Sequence, residues 1–292
     1  MALSDHDKIY EDFLKRMRDL SELDVSATDL WADNCKKMRD EALLGNRFDF
    51  LRWGSLTDVS VPEHWIAPFY YDTLREQPDW HTKWFLLTRE TKLGNPKDFP
   101  RDYGTSPTLV QHAYHVLRYE RSTNQSFLDC DAILEFGGGY GSFCRLLRNM
   151  GFDGIHIIYD LPHFANLQRL YLRLSGYNEI PATDLAVRGS HTVCITTGDD
   201  DLRKIFAFLL SANLRVGFVA TWSLSEAPIA VRDTIFPEFH GLFSHYLIAY
   251  QPTWFEIDNT IYFRTFPLSR PDLTWTFEDI PQPVLPSSYL FA

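Results

Sequence analysis

The chain has 292 residues, 45% hydrophobic and 23% charged, the balance of a globular protein with one large domain or a core domain plus an appendage. Its formal net charge of −11 repels phosphate over most of the surface and argues against nucleic acid as a partner. No apolar run nears the roughly 20 residues that cross a bilayer, and the start, MALSDHDKIYEDF, has no basic stretch leading into an apolar one. The expected location is therefore cytoplasmic, with no membrane partner.

Helical signals dominate the first 125 residues. In DHDKIYEDFLKRMRDL, Ile9, Phe13, Met17 and Leu20 recur at helical spacing among charges. A second helix is predicted from about Ser26 to Leu44, ended by Gly45 and Asn46. Residues 54–79 are rich in turn formers and yield no assignment, and 79–90 read as a further helix. In GTSPTLVQHAYHVLRYE, Ser106 is placed to cap a helix with Pro107 in its first turn. Leu109, Val110, Ala113, Val116 and Leu117 share one face; His112 lies at its edge and His115 about 60° beyond.

From residue 130 strands and helices alternate. DAILEF, GIHIIYD, HTVCITT and RVGFVATW read as strands, and the segments after them as helices, which implies a parallel sheet covered on both faces. The tail segments LFSHYLIAYQ and TIYFRTF read as two strands too closely spaced for a helical crossover, so antiparallel pairing is expected. The division expected is 1–125, a helical cover that helps bind an acceptor, and 126–292, the core. Four cysteines lack zinc-type spacing and read as reduced thiols.

ILEFGGGYG, residues 133–141, carries the sharpest signal. In an open α/β sheet the turn after the first strand faces the ligand. Gly137, Gly139 and Gly141 allow positive φ and close backbone approach. A dinucleotide site asks for G-x-G-x-x-G, but Ser142 and Cys144 stand where the third glycine belongs. Glu135, two residues before the first glycine, disfavours a pyrophosphate and suits a ligand with an ammonium group.

This arrangement resembles motif I of the class I S-adenosyl-L-methionine (SAM)-dependent methyltransferases. The resemblance implies a Rossmann-like α/β fold with a mostly parallel seven-stranded sheet and one antiparallel strand near the edge. It implies that Glu135 lies near the methionine end of SAM and that Gly137, Gly138, Gly139 and Gly141 pass beneath the cofactor. Asp160, in YDLP and followed by Leu161, matches the acidic residue that takes both ribose hydroxyls. Asp199 or Asp200 matches the position that meets the adenine amino group, although acids there equally suit a helix's first turn. Thr221, ending the fourth strand, completes the cofactor set. EFGGGYGSF, YDLPHFANLQRLYL, WSLSEAP and SPTLVQHAYH are together similar to the bacterial sugar O-methyltransferase family over about residues 100–266. One departure is that no full helix is evident between the fifth and sixth strands.

Methyl transfer from a sulfonium is an in-line displacement that needs alignment and no covalent enzyme intermediate. A hydroxyl acceptor must lose a proton near the transition state. The candidates for that role are Glu226 in TWSLSE, His112, His115 and His245; His156 and His191, at strand starts, read as structural. No metal ligand set is assigned, because the three consecutive acids Asp199–Asp201 cannot all face one ion. The expectation is a SAM-dependent O-methyltransferase acting on a sugar or other polyhydroxylated small molecule and releasing S-adenosyl-L-homocysteine (SAH). Alternatives are an N- or O-methyltransferase of a non-sugar natural product and a catalytically inactive SAM-binding partner protein. Homo-oligomerisation is left open.

Overall fold

A computed structural model describes residues 4–20, 28–59, 66–102, 104–187, 189–233, 240–281 and 286–292. The chain folds as two compact units. The first comprises Met1–Leu117, Gly138–Gly151 and Leu161–Glu179; the second comprises Arg118–Gly137, Phe152–Asp160 and Ile180–Ala292.

The first unit is helical. Helix α1 (Asp5–Asp19) starts with a capping box, in which the Ser4 hydroxyl accepts from the Asp7 N–H and the Asp7 carboxylate accepts from the Ser4 N–H. It buries Tyr10, Phe13 and Met17. Helix α2 (Asp29–Leu44) buries Cys35, Met38 and Ala42 and stops at Gly45. Short helices α3 (Gly54–Thr57) and α4 (Ala67–Arg75) occupy part of the turn-rich segment, of which residues 60–65 lie outside the described residues. The helix expected over 79–90 is a π-turn at Trp80–Trp84 running into α5 (Phe85–Leu87). Then come α6 (Pro107–Thr123), α7 (Ser142–Met150), α8 (Pro162–Leu174) and a two-residue strand, β3 (Asn178–Glu179). Helices α1 and α8 pack together, with the Asn166 amide donating to the Phe13 carbonyl at 3.1 Å.

The second unit holds the main sheet. Its strands are β1 (Ala132–Phe136), β2 (Ile155–Tyr159), β4 (Thr192–Thr196), β5 (Val216–Thr221), β6 (Phe243–Tyr250), β9 (Thr276–Ile280) and β10 (Ser287–Phe291). A separate hairpin joins β7 (Thr253–Trp254) to β8 (Ile257–Asp258). The seven strands pair in the order β4-β2-β1-β5-β6-β10-β9. Contacts from β4 through β6 are parallel, and β10 is antiparallel to both its neighbours. Within this unit the strands make the mostly parallel Rossmann-like sheet, with one antiparallel strand beside the edge, that the resemblance implies; the two-residue β3 brings the strand count of the whole sheet to eight, where seven was expected.

Alternation along β1 sends Ala132, Leu134 and Phe136 into one apolar core with Leu202, Ile205, Phe206 and Leu209 of helix α9 (Asp199–Ser211). The expectation for the tail needs correction. TIYFRTF is helical, over Asn259–Arg264 and Phe266–Ser269, and buries Phe263 and Phe266. The partner of β6 is instead β10. Two short helices thus stand where the sequence showed none between the fifth and sixth strands of the core.

Arg232, in the helical stretch 229–233 further along from β5, is completely buried. Its guanidinium donates to the carbonyls of Ala227 (2.9 Å) and Ser225 (2.7 Å) and to Asn259 Oδ1 (2.8 Å), and it lies 4.7 Å from the Tyr262 ring. Burial lowers its pKa to about 10, so the charge persists at neutral pH. Removing the side chain takes the Arg232 donor from the buried Asn259 Oδ1 and from the Ala227 carbonyl, leaves the Ser225 carbonyl with Asn259 alone, and opens a buried space, so Arg232→Ala is expected to cost about 3–5 kcal/mol in urea unfolding. A loss below about 1 kcal/mol would contradict this role.

Candidate functional site

Strands β1, β2, β4 and β5 are parallel, so their carboxyl ends share one edge of the sheet, where open α/β folds bind ligands. Glu135, the fourth residue of β1, pairs in register with Ile158 of β2. His156 lies two residues back on β2, and alternation sends both side chains to the same face. His156 Nε2 is 2.8 Å from Glu135 Oε2, and the two side chains are 0% and 5% exposed. Burial pushes the Glu135 carboxyl up to about 8, so at neutral pH it keeps its proton and shares a hydrogen bond with the imidazole. The residue that seemed merely structural is the direct partner of the motif's carboxyl.

The chain leaves β1 through Gly137, whose φ is +72° and whose N–H donates to the Tyr159 carbonyl at 2.9 Å. A Cβ on Gly137 would stand 2.3 Å from the Cβ of Ser223. The Ser223 hydroxyl in turn donates to the Phe136 carbonyl. This first glycine is therefore required by a protein neighbour, the loop after β5.

That loop is tightly held. Thr221 ends β5 half-buried, and Trp222 follows with φ +72° and ψ −42°, a strained conformation for a bulky residue. The Trp222 N–H donates to the Ala249 carbonyl at 2.8 Å. Helix α10 (Ser223–Glu226) then presents Glu226, whose Oε1 accepts from Gln251 Nε2 at 3.3 Å. The Ser225 hydroxyl lies 2.7 Å from Gln251 Oε1.

Asp160 follows β2, half-buried, with its N–H donating to the Thr196 carbonyl at the end of β4 (3.2 Å). Asp199 accepts from the Tyr159 hydroxyl at 2.7 Å and so lies next to the β2 end. Asp200 and Asp201 instead pair with Arg203 and Lys204 on the outer surface of α9. His245 lies in register with Gly217, near the amino end of β5 and opposite the edge that carries Thr221. Its Nδ1 is 2.8 Å from the Ser244 hydroxyl, and burial lowers its pKa.

The rest of the glycine turn belongs to the first unit. The Gly141 N–H donates to the Gly138 carbonyl at 2.8 Å, closing the turn. Gly139 has φ +57° and no atom within 4 Å of where a Cβ would stand; its carbonyl accepts from Gln168 at 3.1 Å. A Cβ on Gly141, at φ +95°, would stand 3.1 Å from the Leu172 side chain of α8. Leu161 is the N-cap of α8, and its carbonyl accepts from the Ala165 N–H at 2.9 Å.

His112 Nδ1 lies 2.8 Å from the hydroxyl of Ser142, the first residue of α7. His115 is fully buried, although the helical step placed it farther from the apolar face, because α6 is covered nearly all round. Burial lowers His112 to about 4 and His115 well below its ordinary value, so both rings stay neutral. Among the described residues, no group of three or more His, Cys, Asp or Glu could hold a metal ion.

Gly137 and Gly139, both with positive φ, predict different outcomes. Gly137→Ala drives a methyl into Ser223 and is expected to cost more than about 2 kcal/mol in chemical unfolding. Gly139→Ala meets nothing and should cost only the backbone term, about 1 kcal/mol. Equal costs at the two positions would contradict the geometry.

No protein-family model matches the chain, and no curated protein matches it. Among solved structures there is weak likeness to PigF with SAH, at 14% identity over 84% of this chain and 76% of that one, with a TM-score of 0.39. The mitomycin 7-O-methyltransferase MmcR is 12% identical over 87% and 85% of the two chains, with a TM-score of 0.35. The CurJ carbon methyltransferase is 12% identical over 98% and 90%, with a TM-score of 0.39. Likeness at this level carries neither substrate nor activity over to this chain.

Proposed function

We propose that the protein is a SAM-dependent O-methyltransferase that methylates a hydroxyl of a sugar or other polyhydroxylated small molecule. The observation that carries this reading is the pair of acids at neighbouring strand ends, Glu135 on β1 and Asp160 after β2, beside a glycine turn. SAM offers an ammonium group to one and a ribose diol to the other, and a single carboxylate can accept from both hydroxyls of a diol. The open space at Gly139 supports a ligand passing over the turn.

In the second unit, Glu135, Gly137, Asp160, Asp199 and Thr221 are proposed to hold the cofactor. Along the continuing chain, Gly138, Gly139, Gly141 and Leu161 join them. Bound SAM supplies an electrophilic methyl group on a sulfonium. Glu226 is assigned to bind the acceptor hydroxyl and take its proton, because Gln251 already orients its carboxylate. His112 is assigned to holding the turn through Ser142.

Calorimetry tests the reading directly. SAM and SAH should bind and NADH should not, and Asp160→Ala should weaken SAM at least about tenfold. Binding of NADH in place of SAM, or an unchanged affinity in Asp160→Ala, would contradict it. The pH dependence has a definite sign. Free Glu135 ionises near 8, and a cation at its carboxyl favours the ionised form. SAM affinity should therefore rise from pH 6 toward 8, by up to about tenfold per unit, with a proton released on binding. Glu135→Gln should flatten that rise; a profile identical to wild type would remove Glu135 from the site.

A further inference from the structure

Beneath the glycine turn, entirely within the first unit, lies a buried carboxylate that no step above uses. Glu90 follows α5, and its side chain is only 4% exposed. Its Oε1 accepts from Arg145 Nη1 of α7 at 2.9 Å, from its neighbour's Thr91 N–H at 2.9 Å and from the Tyr171 hydroxyl of α8 at 3.4 Å. Its Oε2 accepts from the Ser106 hydroxyl at 2.7 Å and from the Tyr140 hydroxyl at 3.5 Å. Arg145 also donates to the Arg89 carbonyl at 2.6 Å and to the Tyr171 oxygen at 3.2 Å.

One carboxylate thus gathers the start of α6 (Ser106), the glycine turn itself (Tyr140), the helix after the turn (Arg145) and α8 (Tyr171). Burial holds the Tyr140 hydroxyl well above its ordinary pKa, so it remains a donor. Taking an ion pair out of water is costly, and an apolar cluster of the same volume would hold these helices at least as well. What a carboxylate adds is direction: its two oxygens, each with more than one donor, constrain where those donors, including the side chain of the turn, sit.

We infer that Glu90 is a positioning residue for the glycine turn, setting its backbone through Tyr140 and Arg145 so that the cofactor binds to a preformed surface. This rests on the SAM reading of that turn. The test compares SAH binding by calorimetry with thermal unfolding for the wild type, Glu90→Gln, Tyr140→Phe and Asp160→Ala. Glu90→Gln should weaken SAH about tenfold or more. Tyr140→Phe, which keeps the Glu90–Arg145 pair, should weaken SAH at least about threefold while its Tm stays within about 2 °C of wild type. Loss of Tm in Glu90→Gln with SAH affinity held within about twofold in both variants would reduce Glu90 to a purely structural role and overturn the inference. Should Glu90→Gln fail to fold, Tyr140→Phe alone decides. A wild-type chain that takes up no SAH overturns the SAM reading and this inference with it. Weakening by Asp160→Ala alone leaves the reading intact and overturns only the inference.

Discussion

Ser223 sits where a Cβ on Gly137 would have to be, and its hydroxyl closes onto the carbonyl of the residue before that glycine. This close approach ties the loop after β5 to the end of β1, and much of the ligand edge of the sheet follows from it. Strand β1 is central, paired on both sides and buried along its whole length, so its end cannot shift without moving β2 and β5. The loop it grips carries Trp222 in a strained backbone and Glu226 in a bond with Gln251. Arg232 and Asn259 hold the carbonyl of Ser225 from beneath. Strain of this kind persists only where the surroundings over-determine it, and here they do.

The electrostatics of the edge rest on a second short contact. Glu135 is an acid held almost wholly out of water, with His156 as its hydrogen-bond partner. A carboxyl kept neutral until a cation arrives costs the empty protein less than a buried bare charge. Under the proposed reading, the arrangement would join stability without ligand to attraction for a positively charged one. A Cβ at Gly139 would meet nothing within 4 Å, Gly141 admits Leu172, and Gly137 admits Ser223, so three glycines of one motif stand in three different surroundings.

Much of this was legible in the sequence. The strands β1, β2, β4, β5 and β6 announced themselves as apolar runs, and Glu135 with Asp160 marked the ends of two of them. The tail was misread because Ile261, Tyr262 and Phe263 favour strands by type. The helical signals there are weaker: Asp258 caps the Ile261 N–H at 3.0 Å, and Phe263 and Phe266 are buried three residues apart. The partners of the site residues were not legible. Ser223 is distant in sequence from Gly137, and the His156–Glu135 bond depends on strand register, which no local pattern encodes. Glu90 stood in a segment read only as helix-forming, with nothing nearby to suggest the donors it collects.

The central claim is that the acidic ends of β1 and β2 hold SAM by its ammonium group and its ribose. A crystal structure of the protein soaked with SAH tests it most directly. The account predicts the Asp160 carboxylate against both ribose hydroxyls and the Glu135 carboxyl at the amino group, directly or through one water. An adenosyl group bound elsewhere, or an Asp160 side chain turned away from the ribose, would contradict it.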